Sequence, residues 1–515
     1  MADNRVTNVF KNSTASLIYK LVHMLVQFIL RTVFIHVLGN EYTGISALFT
    51  DILQVLSLME MGLDSSMVFA LYKPLAQKDE KRISALLSFY RKAFNIIGLV
   101  VLFSGIACTP FLNYIIKGVP NITENIKGIF LMYVATSAFS YFLIYKTVLL
   151  RADQKSRVIS NWSSIVFLAE CVVEVILLII LKKFYAYLVV HFIATILRNL
   201  ILSAITSKRY PDYFKKTNEK LSREEKRVLY RDLACLTVYN LSGVVINSTD
   251  SVFISAFVGT VEVAIIGNFT LIMNSLRTAV SQIVNASKAS IGNLAATSSN
   301  NKQEQVFNRM NFVSFWVSCF CCTCLMALLN PFIGDVWFNE SYKIAESIIA
   351  VLVANFFIAV MVFPVESFRT ANGLFVQGWF RPALMAVLNI ALDFYMGRRW
   401  GIFGIFLATT ISRLLTQVWF DPYLVYKMVF KKSVKKYYID YIIYVAITAL
   451  SCLTAVFVCR AVPMTNKYIN FGCRMILAAI IPNVYISVLY HKTEEFAYFM
   501  KMPKKLARKL LNRQH

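Results

Sequence analysis

Apolar stretches of a length suited to crossing a bilayer recur from one end of this chain to the other, with short polar segments between them. A hydrocarbon core about 30 Å thick takes about 20 helical residues. Fourteen stretches meet that need, at approximately 15–38, 43–71, 93–116, 128–150, 158–181, 187–206, 233–257, 263–286, 310–332, 344–368, 382–397, 401–426, 438–460 and 469–490. The eleventh is short enough to be tilted or merged with its neighbour. The pattern predicts an all-α polytopic membrane protein of about 14 transmembrane helices. Tyr437, Tyr438 and Tyr441 gather at a span end, as an interfacial belt requires.

Charge gives the pattern a direction. Most of the 53 Lys and Arg lie in the N-terminus, the even-numbered loops and the C-terminus, which the positive-inside rule assigns to the cytoplasm. Lys20, Arg31, Arg198, Arg277, Arg413 and Arg474 instead lie within otherwise apolar segments. The external loops are short, so binding or chemistry falls to the spans. The longest cytoplasmic loop, 207–232, is a hinge between two sets of six spans. Its SREEKRVLYRD portion reads either as an amphipathic surface helix capped by Ser222 or as a charged connector.

An internal repeat marks the same division. The first span leaves through Gly39, Glu41 and Gly44, and the seventh through Gly259, Glu262 and Gly267, each after an aromatic-aliphatic end. Six spans followed by six of the same entry orientation form parallel repeats about an axis along the membrane normal, with a cleft between them. The predicted organisation is an N-terminal lobe at 1–206, a cytoplasmic linker at 207–232 and a C-terminal lobe at 233–426. Two extra spans at 427–490 and a basic cytoplasmic tail at 491–515 complete it.

Composition narrows the function classes. With 57% hydrophobic residues, mean hydropathy +0.59 and 16% charged residues, the chain falls outside the soluble range, where about 25% of residues are charged. The net charge of +25 sits in short loops, where topology and anionic lipid account for it, so nucleic acid is not an expected partner. The polar leader and the lack of a small-residue cleavage site predict that the first span is retained. Cys319, Cys321, Cys322 and Cys324 cluster in SCFCCTCLM, yet on one helix they point in different directions, and packing explains them better than metal. No metal or cofactor is expected; a proton or sodium gradient is the candidate energy source.

An ionisable group at bilayer depth costs a few kcal/mol and therefore faces a partner or a wet cavity. In the first span Lys20, His23, Gln27 and Arg31 are spaced 3, 4 and 4, one helical face. The second span carries Asp51, Glu60 and Asp64; the seventh Asn240, Asn247 and Asp250; the eighth Asn268, Asn274, Arg277, Gln282 and Asn285. These four spans would line a central cleft. Arg31 and Arg277 are the best candidates for an anion, because guanidinium stays charged and its fork fits phosphate oxygens. Asp51, Glu60 and Asp250 either pair with those arginines or hold a coupling cation. Glu170 and Glu174, one turn apart in the fifth span, either carry a proton or pair with Arg198. His191, alone in the sixth span, reads as structural. Arg413, Glu366, Arg369 and Asp393 read as pairs internal to the C-terminal lobe.

The opening segment resembles the Wzx-like polysaccharide flippases of the multidrug, oligosaccharidyl-lipid and polysaccharide exporter superfamily. The resemblance rests on Leu38-Gly39-Asn40-Glu41-Tyr42-Thr43-Gly44, on Glu60-Met61-Gly62-Leu63 and on the basic loop between Lys73 and Lys92. It implies a monomeric, multi-pass protein of the bacterial cytoplasmic membrane with both termini in the cytoplasm. It implies export of a polyprenyl-diphosphate-linked oligosaccharide by alternating access, alongside other polysaccharide-assembly proteins, and no enzymatic activity. Related flippases place arginines of the first and eighth spans in a cationic cavity, where Arg31 and Arg277 stand here. Lys20, Gln27, Asn247 and Asn274 would complete the substrate site. The competing expectation, a cation-coupled multidrug or metabolite exporter of the same superfamily, rests on Asp51, Glu60 and Asp250.

Overall fold

A computed structural model describes residues 23, 25–56, 67, 68, 70, 71, 74, 75, 77–116, 122–153, 155–214, 223, 227, 248–372, 374, 377, 378, 380–461 and 466–500. The side chains of residues 113, 156, 157, 282–290 and 292–297 fall outside that description. Among the described residues every regular element is helical, and ten helices are long and apolar enough to cross a membrane. The protein is an all-α, multi-pass membrane protein.

The chain forms two compact units, Met1–Gly267 and Asn268–His515. In the first, α1 (Leu25–Leu38) and α2 (Asn40–Leu56) are followed by α3 (Glu80–Cys108), α4 (Ile126–Tyr141), α5 (Thr147–Ala152), α6 (Ser156–Leu181), α7 (Phe184–Arg209) and α8 (248–257). α9 (Thr260–Thr297) begins in this unit and continues into the second. Side-chain caps fix several helix starts: Asp79 accepts from the Arg82 amide at 3.0 Å, and Asn125 from Lys127 and Gly128. α6 and α7 form a hairpin about Lys182 and Lys183, with Lys182 in the left-handed region at φ 51. The core of this unit is aromatic, with Phe49 edge-on to Phe130 and Phe184 among Phe34, Tyr42 and Tyr187.

The second unit is organised around α10 (Asn300–Asn330), which packs against α11 (Glu346–Ala371), α14 (Lys435–Arg460) and α15 (Lys467–Tyr490). Phe307 is wholly buried against Phe368, Tyr426, Phe430 and Tyr437, while Phe315 stacks on Tyr444 with ring centroids 4.0 Å apart. The cysteine-rich stretch lies on α10 and packs between helices: Cys322 meets the Val353 carbonyl and Cys324 the Ala478 carbonyl. The thiols face different neighbours, as their spacing on one helix dictates.

Spans eleven and twelve appear as one continuous segment, α12 (Phe380–Leu415), followed by α13 (Gln417–Val425). Gly401, at φ 56 and ψ −136, breaks the segment, a conformation that costs a glycine little and other residues much. A Cβ at Gly404 would lie 2.2 Å from the Met396 carbonyl oxygen, so the break is a tight one. Apolar side chains also cover the outside of the helices: Leu453 and Phe457 of α14 are mostly exposed. A helix that is apolar all round belongs in a core or in lipid, and here both surroundings are used.

Candidate functional site

Arg31 projects from α1 towards the start of α9, and its Nη2 donates to the Ala264 carbonyl at 3.2 Å. A Cβ at Gly267 would sit 2.8 Å from the same nitrogen, so this glycine makes room for the guanidinium. α2 is tied to α8 and α9 by three polar contacts. Gln54 accepts from the Ser248 hydroxyl at 3.2 Å, Asp51 bonds the Ser251 side chain, and Thr260 donates to Glu41 at 3.4 Å. Gly44 lies so close to Thr260 that a Cβ there would come within 1.9 Å of its carbonyl oxygen. The two segments singled out as a repeat thus meet in the first unit. Gly39 and Gly259, which divide their paired helices, both have positive φ.

Of the expected substrate residues, Gln27 is exposed on α1, and Asn274 is exposed on α9 in the second unit. Arg277, also in the second unit, is half-buried and within the electrostatic field of Glu366. Asp51 and Asp250 are half-buried on α2 and α8. Lys20, Asn247 and Glu60 lie outside the described residues.

A second cluster forms where α6 and α7 face each other. His191 Nδ1 lies 2.6 Å from Glu170 Oε1 and 3.9 Å from Glu174 Oε1. Glu174 is 1% exposed, Glu170 9%, and the imidazole is 41% exposed. Glu174 Oε1 accepts no hydrogen bond. Tyr187 lies parallel to the imidazole one turn away and edge-on to Phe34 of α1, and the Tyr133 hydroxyl is hydrogen-bonded to Ser46 at 2.6 Å. The carboxylates that were offered Arg198 as a partner therefore meet His191, which is not the isolated residue it looked to be. The signal was in the hairpin: Glu174 lies eight residues before Lys182 and His191 eight after Lys183, which sets them opposite each other.

In the second unit Asp421 of α13 accepts from Arg369 Nη1 at 2.7 Å and lies 3.1 Å from Arg381 Nε. Arg369 also donates to the Leu374 and Gln377 carbonyls. Arg413 donates to the Asn355 carbonyl at 3.3 Å. Asp421 was missed although it lies inside the twelfth span, where a buried acidic residue is itself a signal for a partner.

Residues 9–291 match the family model described as polysaccharide biosynthesis protein. No curated protein sequence matches the chain. Among solved structures, the fold is similar to the lipid II flippase MurJ in an inward closed conformation, with TM-score 0.66 and 14% identity over 92% of this chain and 98% of that one. It is also similar to an inward-facing multidrug resistance MATE family transporter of the MOP superfamily, with TM-score 0.55 and 13% identity over 76% of this chain and 91% of that one. A mutant of the Vibrio cholerae MATE transporter VcmN gives TM-score 0.52 and 14% identity over 82% of this chain and 100% of that one. At these identities the likeness is one of fold.

Proposed function

The chain belongs to the polysaccharide biosynthesis protein family, and from that premise we propose that it carries a polyprenyl-diphosphate-linked oligosaccharide from the inner to the outer leaflet of a bacterial cytoplasmic membrane. The cycle is alternating access by two lobes, and no bond of the substrate is made or broken. Both termini and the basic loops face the cytoplasm, and the chain works as a monomer beside other polysaccharide-assembly proteins.

The observation that carries the reading is Arg31, a permanent cation on a membrane helix, with its guanidinium seated against Ala264 and Gly267 within the family-matched segment. A diphosphate cannot enter hydrocarbon without counter-charge, and a guanidinium supplies both charge and a two-pronged donor. Arg277 is the corresponding group of the second unit. Lys20, Gln27 and Asn247 would meet the remaining phosphate oxygens and sugar hydroxyls, while the prenyl tail stays in lipid. The lipid II flippase that shares the fold is consistent with such a cargo.

The MATE-like fold also fits a second reading, a cation-coupled exporter of drugs or metabolites, which Asp51 and Asp250 would serve. Sensitivity to cationic drugs in a deletion strain separates the two. Loss of surface glycan with unchanged drug sensitivity supports the flippase; the opposite pair of results supports the drug exporter.

A further inference from the structure

Two carboxyl groups one turn apart in a membrane helix repel each other if both are ionised, and the cost rises as water is removed. Glu170 and Glu174 share that predicament at 9% and 1% exposure. One of them has an answer, because the imidazole of His191 lies 2.6 Å from Glu170, the distance of a charge-assisted hydrogen bond. Glu174 has none at Oε1, which is buried and accepts no hydrogen bond. A carboxylate in that position is far costlier than a protonated carboxyl.

We propose that Glu170, Glu174 and His191 form a proton-binding site whose occupancy governs the affinity of Arg31 for an anion. The proposal rests on the flippase reading for the identity of that anion. In the loaded state Glu174 holds the proton, and His191 Nδ1–H donates to ionised Glu170. Release takes the proton from Glu174 and leaves two carboxylates, so the imidazole turns to stand between them, across the 3.9 Å that now separates it from Glu174. Only a proton moves, through the half-exposed ring of His191, and no bond between heavy atoms changes. The groups facing Glu174 are Glu170 and Cys171 on α6, Tyr187 and His191 on α7, and Tyr133 on α4.

α1 brings Arg31 beside this site: Phe34, three residues further along the helix, packs edge-on to Tyr187 with ring centroids 5.2 Å apart, and Tyr187 lies parallel to the His191 ring. Ionised Glu174 adds negative charge to the neighbourhood in which a diphosphate would bind, and protonation removes it. By reciprocity, an anion at Arg31 also raises the proton occupancy of Glu174. A bound metal ion fits the geometry less well. A proton accounts for the 2.6 Å approach of Nδ1 to a carboxylate oxygen, whereas two ligand atoms on one ion stand further apart.

The test uses the full-length protein in nanodiscs, with the infrared carbonyl stretch of protonated carboxyl groups followed against pH. A protonated-carboxyl band in the wild type that disappears in Glu174→Gln supports the site; the same band in both proteins overturns it. His191→Asn, at a half-exposed position, guards against misfolding of the first variant. Its band should persist to higher pH because the carboxylate has lost its donor, and an unchanged titration would contradict the proposal. A wild-type band displaced by sodium or zinc ions at constant pH would replace the proton with a metal. Binding of undecaprenyl diphosphate is then measured across the same pH range. Wild-type affinity should weaken at least about fivefold as Glu174 ionises, while Glu174→Gln varies only with the lipid's own titration. Equal pH dependence in the two proteins overturns the link to Arg31. Absence of lipid binding to the wild type at every pH overturns the flippase reading instead, and the infrared band still decides the proton site.

Discussion

Glu170, Glu174 and His191 in the first unit and Arg369, Arg381 and Asp421 in the second are both three-residue charge clusters inside apolar helices, yet they are built from opposite materials. The second has two permanent cations around one carboxylate, and Arg369 is held by two backbone carbonyls besides. Guanidinium does not titrate in the physiological range, so the two cations of this cluster are permanent. The first has two acids and one imidazole and no permanent cation, while unmet hydrogen bonds occur in both clusters, at Glu174 Oε1 and at Arg381 Nε and Nη1. A cluster whose cations are permanent fastens helices together; two acids around a half-exposed imidazole can change state.

Neutralising each cluster in turn should expose that difference. Asp421→Asn leaves two buried guanidinium groups without a counter-charge and should destabilise the protein by about 3–5 kcal/mol, read as a large fall in the thermal midpoint in detergent. The close approach of Gly44 to Thr260 provides an intermediate case that involves no charge. Gly44→Ala forces backbone apart and should cost about 1–3 kcal/mol by the same measurement; an unchanged midpoint would mean that α2 and α9 are not in contact there. Glu174→Gln, by contrast, removes no hydrogen bond at Oε1 and should shift stability by less than about 1 kcal/mol. A loss as large as that of Asp421→Asn would make the two clusters equivalent and both structural. Cys321→Ala should leave export unchanged; loss of surface glycan in a folded variant would give the cysteine stretch a role beyond packing.

Legibility in the sequence followed the same division. Spans were readable because bilayer thickness imposes a length that composition cannot hide, as at 158–181, where the helix runs over Ser156–Leu181. The join between spans eleven and twelve was readable from Gly397-Arg398-Arg399-Trp400-Gly401, and the helix breaks at Gly401, where the twelfth span was expected to begin. Arg31 was legible as a charge in an apolar segment, but its seat against Ala264 and Gly267 depends on a helix more than two hundred residues away. The Glu170–His191 pair lies across a single hairpin and was within reach of a residue count from the turn. Asp421 was not, because its partners Arg369 and Arg381 are set by how α11, α12 and α13 pack, and hydropathy says nothing of that.

Whether Arg31 carries the diphosphate across is decided by the location of undecaprenyl-diphosphate-linked oligosaccharide in a deletion strain complemented with wild type or with Arg31→Ala. The lipid-linked oligosaccharide should accumulate on the cytoplasmic side with loss of surface polysaccharide, reversed by the wild type and not by an Arg31→Ala variant that inserts normally. Normal surface polysaccharide in the Arg31→Ala strain would contradict that role.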